Sequence, residues 1–227
     1  MSAEATGRLA GRVALVTGAS RGIGAAIARG LAAEGAHLVL IARTIGGLEE
    51  TDDAIRRHGG AATLVPLDLA DFGKLDQMAA ALYERFGRLD VLIGNAGILG
   101  SLGPLGHLDP ELFQRVLNVN LTANWRLIRA FDPLLRQAPS GKVLLTGCAA
   151  GREPVAYWSA YAIAKAGLEM MAKLYAAELD GTRLTVEIVD PGPVATKLRR
   201  EAFPGEDQSR LPSPDAAARL FIGKAVA

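Results

Sequence analysis

From Arg12 onward the chain alternates short apolar runs with longer segments of mixed character. Arg12–Thr17, Leu38–Ala42, Ala62–Leu67, Leu89–Gly94, Lys142–Thr146 and Leu184–Val189 are β-rich and apolar at successive positions rather than at every second one. Runs of this kind belong to strands buried on both faces, the condition of a parallel sheet covered by helices. Helical segments fill the gaps. They run from the turn after Thr17 to about Glu34, over Thr51–His58 and Asp71–Phe86, from Leu108–Phe113 into a long helix, and over Ala156–Leu179. Asp109 is placed to cap the fourth of these, with Pro110 in its first turn and Glu111 near its positive end. Ser213-Pro214-Asp215 opens a last helix. Strand and helix alternate without a linker or repeat, which predicts one α/β domain over residues 1–227.

Composition narrows the class. Half of the 227 residues are hydrophobic and 22% are charged, with 25 basic and 24 acidic side chains well mixed. No basic patch or tail stands out, so nucleic acid is not an expected partner. Cys148 is the single cysteine, which fits a reducing compartment. No signal-peptide pattern and no apolar run of about 20 residues is present, so a cytoplasmic protein off the membrane is expected. No His/Cys/Asp/Glu cluster has metal-ligand spacing, and His37, His58 and His107 stand apart.

Candidate chemistry begins at Thr17-Gly-Ala-Ser-Arg-Gly-Ile-Gly24, between a strand and a helix. Gly18 permits a sharp turn. Gly22 lets the backbone approach a pyrophosphate, and Gly24 lets helix and strand pack closely. The helix start presents unpaired N–H groups to phosphate. In dinucleotide folds an acid at the end of the second strand bonds the ribose 2′-hydroxyl. Here that strand ends Ile41-Ala42-Arg43, with no acid. Arg43, helped by Arg21, suits a 2′-phosphate, so NADP(H) is expected over NAD(H).

Among Tyr83, Tyr157, Tyr161 and Tyr175, only Tyr161 has a lysine, Lys165, four residues on. On a helix the two share a face. An ammonium beside a phenol favours phenolate and suits the tyrosine to proton transfer at a carbonyl or alcohol oxygen.

With these pieces in order, the chain resembles the short-chain dehydrogenase/reductase family over nearly its whole length. The resemblance rests on Thr17–Gly24, Asp68 in LDLAD, Asn95-Ala96-Gly97, Asn120 in LNVNL, Tyr161 with Lys165, and Pro191-Gly-Pro-Val-Ala-Thr196. It implies a Rossmann-like, doubly wound sheet of six strands in the order 3-2-1-4-5-6. It also implies hydride transfer between NAD(P)(H) and a small-molecule carbonyl or alcohol carbon. Tyr161 would be the acid/base, and Lys165 would hold the nicotinamide ribose. Asn120 would hold a water linking Lys165 to solvent. The cofactor would lie along Gly18, Ser20, Arg21, Gly22, Ile23 and Gly24, then Arg43, then Asp68 and Leu69 at the adenine. Asn95, Ala96 and Gly97 would support it, Thr196 and the backbone near Val194 would hold the nicotinamide amide, and Pro191 and Gly192 would also contact the cofactor.

Two departures from the family matter. Gly147-Cys148 stands where the family's catalytic serine usually is. A thiol is a weaker donor than a hydroxyl. Cys148 either retains part of that duty or is a small buried hydrophobe. After Pro191 no clear seventh strand is left, so the family's interface through that strand is not expected. A homodimer through the long helices around Asn120 and Tyr161 is. Pocket walls are expected from Ile98–Gly106, Ala149–Trp158 and a polar, lid-like segment from Lys197 to about Pro212. The alternative to an enzyme is an NADP(H)-binding protein with little turnover, a sensor or interaction module.

Overall fold

The structure, a computed structural model, describes residues 7–227. Six parallel strands form one sheet in the order β3-β2-β1-β4-β5-β6. They are β1 (Val13–Thr17), β2 (His37–Ala42), β3 (Ala61–Pro66), β4 (Val91–Gly94), β5 (Lys142–Thr146) and β6 (Thr185–Val189). Burial follows position. β1 and β4 are buried throughout, and β2 and β5 are buried except at their first residue. The edge strands β3 and β6 are mostly half-buried. The apolar runs are therefore continuous where helices cover both faces and weaker at the edges.

Helices α1 (Gly22–Ala33), α2 (Ile45–Arg56) and α8 (Pro214–Val226) cover one face. There Ile27, Leu31, Leu48, Ile55 and Phe221 pack on Ala14, Val16, Leu38 and Leu40. Helices α3 (Phe72–Phe86), α5 (Ala123–Arg136) and α6 (Ser159–Glu178) cover the other, over Val13, Leu15, Val39 and Ile41. Successive residues of β1 thus serve opposite cores, as the pleat requires. Tyr175 Oη of α6 donates to Asp132 Oδ1 of α5 at 2.6 Å and joins the two helices.

Several boundaries differ from the sequence expectation. Helix α2 starts at Ile45, ahead of Thr51. Gly46 and Gly47 disguise its first turn, and Gly47 is needed because a Cβ there would lie 2.8 Å from Ser20 Cβ. The helix opened by Asp109 is not uniform. Helix α4 (Pro110–Leu117) widens into one π turn over Asn118–Thr122, where Ala123 N–H donates to Asn118 O, and continues as α5. Helix α6 begins at Ser159 rather than Ala156, because Tyr157 takes a left-handed φ of 72°. The expected lid contains a short helix, α7 (Lys197–Ala202), capped by Thr196.

Among the described residues there is no seventh strand. After α7 the chain forms α8, which seats Phe221 in the core and pairs Asp215 Oδ1 with Arg29 Nη2 at 2.6 Å. Lys224 of α8 pairs with Glu187 on β6, putting a fixed charge pair on the sheet edge.

Candidate active site

The winding of the sheet reverses between β1 and β4, and their carboxyl ends open a groove there. Thr17 ties the two strands together. Its Oγ1 donates to Ile93 O at 3.1 Å and accepts from the Asn95 and Ala96 N–H groups at 2.9 and 3.0 Å. Asn95 Nδ2 returns a bond to Thr17 O at 3.0 Å. The glycine turn lies against this knot. Gly18 has φ +66°, and a Cβ on Gly24 would lie 2.3 Å from Gly18 O. Gly22, with φ +57°, faces the groove; the nearest atom to its would-be Cβ is Thr196 Cγ2 at 3.7 Å.

The first turn of α1 has no side-chain cap, and its cap residue, Arg21, is extended. Its N–H groups are thus free for an anion. Arg21 and Arg43 are exposed on the groove wall, and neither pairs with a carboxylate among the described residues. The groove encloses about 1480 Å³. That exceeds the roughly 300–1,000 Å³ of a usual small-molecule pocket and has room for a dinucleotide with a second ligand. Ser20, Ile23, Asp68, Leu69, Ala96, Gly97, Pro191, Gly192 and Val194 line it as well. A tight glycine cradle, an uncapped helix start and two free guanidinium groups fit a phosphorylated dinucleotide.

At the other end of the groove, α6 presents Tyr161 and Lys165, 8% and 3% exposed. Lys165 Nζ donates to Thr146 O at 2.6 Å and lies 5.6 Å from the Tyr161 ring centroid. Cys148, just beyond β5, is half-buried and lines the groove together with Tyr161. Burial lowers Lys165 to about 8, against the pull of Cys148, Asp190 and Glu169. Burial, and then Cys148, push Tyr161 above the usual phenol range. This is opposite to the lowering expected from the Tyr/Lys spacing: desolvation outweighs an ammonium held by Thr146.

Asn120 is placed by the π turn. Its side chain accepts from Ile98 N–H at 2.9 Å and donates to Ile98 O at 2.8 Å. Its own carbonyl accepts from Asn124 Nδ2 at 2.9 Å. Such turns recur at functional sites because they redirect one backbone group without ending the helix. Trp158 lines the groove beside Tyr161, and Phe203 packs on it. Trp158 lies edge-on to Tyr161 at 5.8 Å and against Phe203 at 5.7 Å, and the Arg199 guanidinium stacks 3.8 Å from the Phe203 centroid.

The sequence profile of the short chain dehydrogenase family matches residues 12–207. The chain belongs to this family. An oxidoreductase of Escherichia coli K12, YciK, is 33% identical over 93% of this chain and 84% of its own length. The ketoacyl reductase HetN of a Nostoc species is 36% identical over 82% and 65%. A short-chain dehydrogenase of Escherichia coli CFT073, solved with NADPH, superposes with a TM-score of 0.90 at 33% identity, covering 96% of this chain and 91% of that one. The chain is thus an NAD(P)-dependent oxidoreductase of the short-chain dehydrogenase family.

The site residues expected from this dehydrogenase's sequence line one groove except Gly24, which is packed against Gly18 O and Asn95, and Asn120, which is bonded to Ile98. Thr196 lines it while its hydroxyl caps α7, accepting from Arg199 N–H at 3.2 Å. Asp68 also pairs with Arg115 at 3.4 Å. The sequence reading missed Arg152, Glu169 and Asp190. Arg152 Nη1 donates to Glu169 Oε1 at 2.6 Å, and its Nη2 pairs with Asp190. Only Glu169 carried a signal: it continues the Tyr161–Lys165 spacing by one more turn of α6.

Proposed function

We propose that this chain, acting as one domain, reduces a carbonyl, or oxidises the matching alcohol, of a small and partly apolar molecule with NADP(H). The convergence of Tyr161, Cys148 and Lys165 at the inner end of a groove with a phosphate cradle at its other end carries this reading. Bound NADPH would supply a hydride to the carbonyl carbon. Tyr161 Oη gives its proton to the carbonyl oxygen and takes it back in alcohol oxidation. Lys165 holds the nicotinamide ribose and supplies positive charge beside the phenol. Asn120, held on the Ile98 backbone, supports a water path to Lys165. The Cys148 thiol donates a weak hydrogen bond to the reacting oxygen, in the serine's place.

NADP(H) is favoured over NAD(H) by Arg43 and Arg21 and by the absence of an acid after β2. The relative solved with NADPH agrees with this choice. Leu99, Leu198 and Trp158, on which Phe203 packs, favour an apolar substrate body, and a ketoacyl reductase among the relatives makes ketoacyl thioesters worth including. The protein works in the cytoplasm as a homodimer through α5 and α6. Trp125, Ile163, Met170 and Leu174 are exposed on these helices and suit a buried face.

The test is NADPH oxidation against aldehydes, ketones, quinones and ketoacyl thioesters. Turnover that is lost in Tyr161→Phe supports the reading. Turnover that survives in Tyr161→Phe sinks it. NADPH binding without turnover, with turnover gained by Cys148→Ser, replaces it with a site silenced by the thiol.

A further inference from the structure

Arg152 follows the short 3-10 turn after Cys148, in the loop that leads to Trp158 and α6. Its guanidinium reaches two carboxylates on different elements. Glu169 is on α6, one turn beyond Lys165, and its side chain is about 90% buried. A Cβ on Gly147 would lie 3.6 Å from Glu169 Oε1, so this carboxylate sits beneath the Gly147-Cys148 step. Asp190 ends β6, lines the groove, and accepts from Gly192 N–H at 2.9 Å, shaping the turn into Pro191–Thr196. Three segments that carry the site therefore meet at one side chain. Arg152 itself is half-exposed, so the pair energies are modest where water screens them. Left alone, though, two partly buried carboxylates beside the reacting groups would be uncompensated.

We propose that Arg152 is a positioning residue: it fastens the loop after Cys148 to α6 and to the end of β6, and it neutralises the two carboxylates that flank Tyr161 and Lys165. This rests on the hydride-transfer reading above. The arrangement gives Arg152 two separable jobs. As a fork it sets the distance between the Cys148 loop and the Tyr161 helix. As a charge it limits the negative field at the phenol. The groups facing Tyr161 and Lys165 are Cys148 from the β5 loop, Glu169 on the same helix and Asp190 from β6. The same groove also carries Arg115 of α4, paired with Asp68, and from α7 Lys197 paired with Glu201, Arg199 paired with Glu206, and Arg200. Asp190 already holds the Tyr161 proton on, and Asp190 and Glu169 hold the Lys165 proton on. Removing the cation strengthens both effects.

The experiment titrates tyrosinate by ultraviolet absorbance in the NADP+ complex, with Tyr161→Phe as the blank, and measures alcohol oxidation against pH in parallel. In Arg152→Met the Tyr161 midpoint and the rising limb of kcat/KM are expected to move up by about 0.5 pH or more. In Arg152→Lys the midpoint returns, but kcat recovers only in part, because one ammonium does not span two carboxylates as a fork does. Arg152→Met with Glu169→Gln and Asp190→Asn also returns the midpoint, and serves if Arg152→Met alone does not fold. A midpoint unchanged in Arg152→Met, or shifted equally in Arg152→Lys, overturns the charge role. Full kcat in Arg152→Lys overturns the fork. If no substrate turns over, the absorbance titration still decides the charge role, so failure of the hydride-transfer reading is seen separately.

Discussion

Gly24 and Gly22 lie two residues apart in one turn, and the structure assigns them different costs. A Cβ on Gly24 would stand 2.3 Å from Gly18 O and 2.6 Å from Asn95 Nδ2. Both are fixed: the first is backbone and the second is bonded to Thr17 O. Relief requires moving α1 off β1 or breaking the Asn95 bond, an overpacking cost of about 1–3 kcal/mol plus about 1 kcal/mol for the bond. Alanine's better helix propensity returns up to about 1 kcal/mol. Gly24→Ala should therefore lose about 1–3 kcal/mol, or about 3–10 °C in Tm for a chain of this size. Gly22→Ala meets only Thr196 Cγ2, at an ordinary contact distance of 3.7 Å, and costs its left-handed backbone, about 1 kcal/mol. Its methyl, however, projects between the glycine turn and Thr196, across the path of a phosphate. NADPH affinity should fall about tenfold or more, equivalent to about 1.4 kcal/mol. Thermal melting without cofactor, beside NADPH fluorescence titration, measures both. If Gly24→Ala melts with the wild type, or Gly22→Ala binds NADPH as tightly, the division of labour is wrong.

Three further outcomes are expected. Lys165 is lowered to about 8, against about 10.4 in an unfolded chain. Between those values the unfolded state holds a proton that the folded state has released, so this group makes stability rise with pH over that window. Urea denaturation from pH 7 to 9.5 should show the rise in the wild type and not in Lys165→Met; parallel curves would refute the assignment. Arg43→Ser should weaken NADPH binding about 10–100-fold, the worth of a charge-assisted bond, and leave NADH nearly unchanged; an equal loss for both would place Arg43 outside the cofactor site. Met170→Glu with Leu174→Arg should convert a dimer to a monomer by sedimentation, with little change in Tm; a wild type already monomeric would remove the proposed interface.

The chain's own pattern was enough for the sheet, because burial on both faces leaves an apolar run that needs no knowledge of its neighbours. β1, β2, β4 and β5 were legible for that reason. The glycine turn, Arg43, and the Tyr161/Lys165 pair were legible because each depends on local geometry: a left-handed backbone, a strand end, a single helical turn. What crosses between elements was not legible. The Thr51–His58 helix was legible, but the first turns of α2 were hidden by Gly46 and Gly47, and the fit of Gly47 against Ser20 is a tertiary contact. Helix α7 looked like a polar lid because it is only six residues long and one of its fixing contacts, the Arg199–Glu206 pair, reaches past its end. The direction of the Tyr161 shift also belongs to the tertiary structure. Spacing places an ammonium near the phenol, but only packing shows that the phenol is buried beside Cys148 and that the ammonium is held by Thr146. Arg152 is the extreme case: its partners come from α6 and β6, distant in sequence, and only the folded sheet brings those carboxylates to one guanidinium.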